Sequence, residues 1–83
     1  MNVYIIDENH HDAHNLEVII KRELGDSLNE LIRLNTWSQF EASVNFMESL
    51  NVVFSPVSLL NEPKAEYFIK ELNQKLCLVI LYS

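Results

Sequence analysis

Glycine and cysteine are nearly absent from this chain of 83 residues, which contains one of each. A loop that cradles phosphate groups needs several glycines close together, so this class of nucleotide site is excluded. A single cysteine, Cys77, cannot form a disulfide within the chain, and its apolar neighbours in the sequence are typical of a small buried hydrophobic residue. Nucleophilic triads also lack support, because no histidine lies near Cys77 in the sequence.

Basic residues are scarce, with six lysines and arginines against twelve acidic residues and a formal net charge of -6. Unaided nucleic-acid binding needs a basic surface that neutralises phosphates, so we expect no direct nucleic-acid contact. The longest apolar run, residues 76–82, is too short to cross a membrane. The amino-terminal residues do not have the pattern of a secretory signal, so a cytoplasmic protein is the default expectation.

Short apolar runs alternate with helical patterns, and this alternation predicts a parallel sheet with crossover helices. The predicted strands are residues 2–6, 31–34, 52–54 and 76–82, and Pro56 ends the third. The predicted helices start at about Asp12, at Ser38 and near Pro63. Right-handed crossovers then give an open βαβαβαβ sheet with helices on both faces, in one domain that spans residues 1–83.

Local signals mark the ends of these elements. Gly25 stands after the first helix, where a C-cap requires positive φ. Ser38 and Glu41 have the spacing of a capping box, and Pro63 suits the first turn of the third helix. The last run, residues 76–82, is continuously apolar, which is typical of a strand covered on both faces.

Asp7 and Glu8 stand at the end of the first predicted strand, just before the first helix. Acidic side chains at the carboxyl end of such a strand are where open α/β proteins hold Mg²⁺ and phosphate groups. The alternative is a pair of solvated acids, which the nearby helix N-terminus favours. The residues by themselves leave both interpretations open.

Three histidines, His10, His11 and His14, follow the two acids. Together with Asp7 and Glu8 they suggest an alternative function, a small metal-binding α/β protein that holds Zn²⁺ or Ni²⁺. His10 and His14 are spaced as ligands on one helical turn would be. No second cluster in the sequence completes such a site, so titrating surface histidines are the other interpretation.

Trp37, Phe40 and Phe46 are a group of aromatic residues near the start of the second helix. Such a group can line a ligand pocket or stack on bases, but no basic residues alternate with these three. Their spacing at the start of a helix favours packing in the core and at its rim. We therefore predict a structural role for them.

The chain resembles the receiver domains of bacterial two-component response regulators, most closely those attached to LytTR-type DNA-binding domains. The resemblance rests on residues 5–9 (IIDEN), 51–54 (NVVF) and 78–83 (LVILYS), and it stops before the last helix, strand and helix of a full receiver. It implies a flavodoxin-like fold with the second and fourth strands at the edges of the sheet. It also implies a Mg²⁺ site at Asp7 and Glu8, and a hydroxyl at Ser83 that helps to hold a phosphoryl group.

The departures from that family concern its chemistry. Receivers accept phosphate on an aspartate after the third strand, and Pro56 occupies that position here without a nucleophilic atom. The neighbouring Ser55 is expected on the opposite face of the strand. The lysine of the fifth strand has no counterpart. The resemblance therefore implies a degenerate, truncated receiver that is not an enzyme, with no cofactor or a loosely bound Mg²⁺.

The fourth strand is expected at an edge of the sheet, where a long apolar strand favours pairing with another chain. We predict an interface at Leu76, Leu78, Ile80 and Tyr82, with a protein partner or a second copy of the chain. Three explanations remain open at this stage. The chain is a fragment of a longer regulator, it forms a homodimer through this edge, or a partner adds the missing strand.

Overall fold

The computed structural model describes residues 1–44, 50–63, 65–72, 75 and 77–83. The elements are β1 (Asn2–Ile6), α1 (His10–Leu24), β2 (Glu30–Leu34), α2 (Trp37–Ser43), β3 (Asn51–Pro56), α3 (Ala65–Leu72) and β4 (Cys77–Tyr82), with short 3-10 turns at Gly25–Ser27 and Val57–Asn61. The strands form one parallel sheet with the order β2-β1-β3-β4. The predicted open, flavodoxin-like α/β sheet is confirmed, with β2 and β4 at its edges.

Helix α1 begins at His10 rather than near Asp12 because Asn9 caps it. The Asn9 side-chain oxygen accepts hydrogen bonds from the backbone N–H groups of His11 and Asp12, at 3.0 and 3.1 Å. At the other end, Gly25 has a φ of 49° and donates its N–H to the carbonyl of Lys21. The predicted glycine C-cap is confirmed.

Helix α2 has a different cap from the predicted one. Thr36 is the N-cap, and its hydroxyl accepts a hydrogen bond from the N–H of Gln39 at 3.2 Å. Ser38 lies inside the first turn, so the predicted capping box of Ser38 and Glu41 is wrong. Phe46, which was predicted beside this helix, lies outside the described part of the chain.

Glu62 holds the N-terminus of α2 from a distant part of the sequence. Its carboxylate accepts hydrogen bonds from the backbone N–H groups of Trp37 and Ser38, at 2.9 and 3.2 Å. The first N–H groups of a helix have no partner within the helix, and a negative charge is favoured there. Glu62 therefore connects the loop before α3 to the start of α2.

We expect Glu62→Ala to lower the free energy of unfolding by about 1 kcal/mol, the usual cost of losing an N-cap. Glu62→Gln is expected to cost less, because the amide oxygen still accepts one hydrogen bond but the charge is lost. Urea denaturation measures both. Glu66→Ala, at an exposed residue of α3, is the control, and an equal effect of the two alanine variants would contradict the assigned role of Glu62.

The hydrophobic core lies on both faces of the sheet. On one face, side chains of the strands pack against α2 and α3: the buried residues are Tyr4, Ile6, Val53, Trp37, Phe40, Ala65, Phe68 and Leu72. On the other face, Val3, Ile5 and Val52 pack against Ala13 and Ile20 of α1. Trp37 and Phe40 are fully buried, which confirms their predicted role in the core.

Strand β4 is covered on one face only. Cys77 and Val79 pack against the core formed with α2 and α3, whereas Leu78 and Ile80 are 54% and 37% exposed. The prediction of a strand buried on both faces is wrong, because one helix about 10 Å wide covers roughly two strands spaced about 4.8 Å apart. Helix α1 packs on the central strands β1 and β3. It does not extend over β4. Leu76, predicted in this strand, lies outside the described residues.

Within the described part of the chain, no helix has both the length and the apolar character needed to span a membrane.

Candidate functional site

An open cleft of about 560 Å³ lies at the carboxyl end of the sheet. Parallel strands bring their carboxyl ends to the same edge, and this is where open α/β sheets bind ligands. The residues that matter for its chemistry are Asp7, Glu8, Asp12, Pro56, Tyr82 and Ser83, which all line the cleft. The structure therefore brings together the predicted acids, the predicted hydroxyl of Ser83 and Pro56.

Asp7 is the most constrained of these residues. It is only 8% exposed, and its backbone N–H donates to the carbonyl of Leu34 at 2.9 Å, which extends the pairing of β1 and β2. One carboxylate oxygen accepts a hydrogen bond from the N–H of Asn9 at 2.9 Å. The other accepts a hydrogen bond from the hydroxyl of Tyr82 at 2.8 Å. Both carboxylate oxygens of Asp7 are thus already engaged by the protein.

Tyr82 is the site residue whose role the sequence did not reveal. We predicted it at the edge interface, whereas its hydroxyl lies in the cleft and reaches from β4 across β3 to Asp7. The pairing of β3 with β4 places Tyr82 beside Pro56. A proline side chain is short, so the tyrosine ring can extend over it. The only sequence signal was alternation along the strand, which puts Tyr82 on the same face as Leu78 and Ile80.

The surroundings keep the hydroxyl of Tyr82 protonated. Its pKa is raised above the ordinary value of 10.0, first by burial, then by the hydrogen bond to Asp7, and then by the negative charges of Asp7 and Asp12. A protonated hydroxyl donates to a carboxylate, and hydrogen bonds to charged groups are the stronger kind. Tyr82 therefore acts as a fixed donor to Asp7 near neutral pH.

Pro56 ends β3 in the cleft and offers no nucleophile. The adjacent Ser55 is fully buried, and its hydroxyl donates to the carbonyl of Pro56 at 3.2 Å. Because side chains alternate along a strand, Ser55 faces the α2 and α3 side. Ser55 does not line the cleft that holds the acids, which agrees with the prediction that it points away from them.

The three histidines are not gathered into a metal site. His10, His11 and His14 are all exposed on the first turns of α1, and the Nε2 atom of His11 lies 3.3 Å from the side-chain nitrogen of Asn15. Among the described residues, no three histidine, cysteine, aspartate or glutamate side chains are placed to hold a metal ion.

The residues of the cleft fit a hydrated cation better than a directly coordinated one. Mg²⁺ takes six oxygen ligands in a regular arrangement and binds readily through one or two carboxylates and water. Asp7 and Glu8 both line the cleft, but both oxygens of Asp7 already accept hydrogen bonds. A Mg²⁺ ion held there would keep most of its water and contact the protein through these two acids.

The lone cysteine lies apart from the cleft. Cys77 begins β4 and packs partly buried against the core. Burial raises the pKa of its thiol to about 11. Because the thiolate is the reactive form, Cys77 has little nucleophilic character at neutral pH.

The described lining of the cleft is rich in polar groups. It consists of acids, an amide and hydroxyls together with Pro56 and Leu59, and it includes no histidine, lysine or cysteine. Comparison of the chain with protein-family models, with curated proteins and with solved structures finds no match.

Proposed function

We propose that this chain is a degenerate receiver module, which acts in signal transduction or transcription regulation by binding a partner protein without being phosphorylated. The observation that carries the proposal is Pro56 at the end of β3, in the same cleft as Asp7, Glu8 and Ser83. On this proposal Asp7, Glu8 and Ser83 occupy the positions of the metal-binding acids and the hydroxyl of a receiver site. Pro56 occupies the position of the phosphate acceptor and has no nucleophilic atom.

The geometry of Asp7 also argues against phosphoryl transfer. Catalysis of this reaction depends on positioning and on cations that neutralise the charge of the phosphoryl group. The described lining of the cleft has no lysine or arginine, and Asp7 is engaged by Asn9 and Tyr82. The Asp7–Tyr82 hydrogen bond instead connects the end of β1 to the end of β4 and has a structural role.

The exposed part of β4 supports a role in binding. Leu78 and Ile80, on the same face of β4, are 54% and 37% exposed, and exposed apolar groups that adjoin one another indicate an interaction site. The strand also lies at the edge of the sheet, where backbone groups are open to pairing with another strand. A loosely held Mg²⁺ at Asp7 and Glu8 would add local charge neutralisation but no reaction.

Incubation with acetyl phosphate and Mg²⁺, followed by intact-mass measurement, tests the proposal. We expect no phosphoryl group on the native chain, under conditions in which a receiver with its acceptor aspartate gains one. Gain of a phosphoryl group by the native chain would overturn the proposed function. A Pro56→Asp variant is the matched comparison, since a gain in that variant alone would assign the loss of chemistry to this position.

A further inference from the structure

Asp7 is the buried acid in the described lining of the cleft. Its side chain is 8% exposed, whereas Glu8 and Asp12 in the same lining are exposed. An exposed side chain loses rotamer freedom when it binds an ion, and this entropic cost weakens the binding. Asp7 has already lost that freedom on folding. The contacts of Asp7 therefore decide how tightly the cleft can hold a divalent cation.

The two carboxylate oxygens of Asp7 accept hydrogen bonds from different parts of the chain. Oδ1 accepts from the backbone N–H of Asn9 at 2.9 Å, and Asn9 is the N-cap of α1. Oδ2 accepts from the hydroxyl of Tyr82 at 2.8 Å. The N–H belongs to the main chain and is fixed together with α1, whereas the hydroxyl belongs to a side chain. Tyr82 is thus the residue whose side chain controls access to Oδ2.

A hydroxyl that donates to a carboxylate oxygen opposes the binding of a cation to the same oxygen. A phenol keeps its proton at neutral pH, and the positive end of its O–H dipole is directed at Oδ2. A cation beside Oδ2 is repelled by that dipole. Mg²⁺ also requires a regular octahedron of oxygen ligands, and the phenol oxygen at 2.8 Å from Oδ2 lies where a neighbouring water of that octahedron would be.

We propose that the Tyr82 hydroxyl replaces a divalent cation as the partner of Asp7. The inference rests on the proposed function, because the cation concerned is the one that a receiver-like cleft implies. Tyr82 is a positioning residue in this arrangement, since it acts through Asp7. The hydroxyl satisfies the buried acid and fixes the carboxyl end of the sheet without a metal ion.

Pro56 connects this role of Tyr82 to the loss of the phosphate acceptor. The register of β3 against β4 runs without interruption from Asn51 beside Cys77 to Pro56 beside Tyr82. Pro56 therefore lies between Tyr82 and the end of β1, and its short side chain leaves space for the tyrosine ring. The residue that lacks a nucleophile is thus also the residue over which Tyr82 reaches Asp7.

The hydroxyl replaces a cation as a partner of Asp7 but does not replace its charge. The described lining of the cleft contains acids and no lysine or arginine, and the potential of such a surface attracts cations. A cation attracted into the native cleft keeps most of its water. We therefore expect weak binding to the native chain and tighter binding once the hydroxyl is removed.

Titration with Mn²⁺, in which electron paramagnetic resonance measures the free ion, tests the proposal. Tyr82→Phe retains the ring and removes only the donor. We expect it to bind Mn²⁺ about tenfold more tightly than the native chain, because a hydrogen bond to a charged group no longer competes. Tyr67→Phe is the matched control, at a tyrosine of α3 that is 61% exposed, and it is expected to bind like the native chain.

A second substitution identifies Asp7 as the group that gains the ion. Adding Asp7→Asn to Tyr82→Phe is expected to abolish the gain in affinity, because an amide carries no negative charge. Thermal melts followed by circular dichroism verify that each variant is folded. If Tyr82→Phe binds Mn²⁺ no more tightly than the native chain, or if the gain persists with Asp7→Asn, the proposal is overturned.

The native chain supplies a measurement that does not depend on the folding of any variant. Its melting temperature is expected to be nearly the same in a chelator and in millimolar Mg²⁺, because an ion that binds the folded chain weakly stabilises it little. Tyr82→Phe is expected to gain more from the same Mg²⁺. A large rise in the melting temperature of the native chain overturns the proposal by itself.

These outcomes are distinct from the test of the proposed function. Pro56 has no nucleophilic atom whether or not an ion is bound, so we expect no phosphoryl group on the native chain under any result of the titrations. Gain of a phosphoryl group would overturn the proposed function. Failure of Tyr82→Phe to gain affinity for Mn²⁺ would overturn only the role of Tyr82.

Discussion

Phe40→Ala is expected to lower the free energy of unfolding by about 3–5 kcal/mol, the range for removing a buried phenylalanine ring. Phe40 is fully buried and makes edge-on contacts with the rings of Tyr4 and Trp37, at centroid distances of 5.1 and 5.7 Å. Domains are stable by about 5–15 kcal/mol in total, or roughly 0.05–0.15 kcal/mol per residue, so a small one lies near the lower limit. The variant should therefore be close to unfolding at room temperature.

Urea denaturation followed by Trp37 fluorescence measures this loss. Phe40→Leu keeps most of the apolar volume and is expected to remain folded, so it supplies a value if the alanine variant is unfolded in buffer. Tyr67→Ala is the control, because that aromatic side chain is 61% exposed and should change stability by less than about 1 kcal/mol. Similar losses for Phe40→Ala and Tyr67→Ala would contradict the assigned core.

Tyr82→Phe is expected to lower the free energy of unfolding by about 1.5 kcal/mol, since hydrogen bonds to charged groups are worth about 1.5–3 kcal/mol and this hydroxyl lies in an open cleft. The substitution removes one oxygen atom and leaves the ring in place. It takes away the donor that lies 2.8 Å from the carboxylate of Asp7. The buried acid then loses a partner that water only partly replaces.

A double-mutant cycle with Asp7→Asn isolates the interaction. We expect a coupling energy of about 1 kcal/mol between Tyr82 and Asp7, because the two side chains contact each other directly. Tyr67→Phe, at an exposed tyrosine, is the control and should change stability by less than about 0.5 kcal/mol. Strictly additive effects of Tyr82→Phe and Asp7→Asn would show that the hydrogen bond does not stabilise the fold.

The same pair predicts how stability depends on pH. The pKa of Tyr82 in the folded chain is raised above its ordinary value of 10.0, so the folded chain retains its phenol proton to higher pH than the unfolded chain. This stabilisation is complete below pH 10.0 and is lost as the pH rises through the folded-state pKa. The difference between the native chain and Tyr82→Phe should thus be constant from neutral pH to the ordinary pKa and shrink above it.

The order and type of the elements follow from the sequence alone. Short apolar runs bounded by polar residues predict strands from local sequence alone. Strand β1 begins and ends where predicted, at Asn2–Ile6. Gly25 marks the end of α1 because the absence of a side chain leaves its positive φ free of strain. The lack of a nucleophile at Pro56 is likewise a property of the residue and needs no structure.

The helix starts were less predictable, because neighbouring polar residues compete to cap the same end. Asn9 caps α1 and Thr36 caps α2, although Asp12 and Ser38 have equally suitable side chains. The choice at α2 depends on Glu62, which lies 25 residues from Trp37 along the sequence. A local pattern cannot contain that information.

Tertiary structure alone decided the role of Tyr82 and the exposure of β4. The hydrogen bond between Asp7 and Tyr82 joins residues 75 positions apart, and it depends on the register of β4 against β3 and on the small side chain between them. The apolar character of β4 predicted burial, but the width and position of α1 left one face of the strand open. Sequence determined which groups the chain has, and the sheet determined which of them meet, because strand register and helix coverage arise only when distant segments pack together.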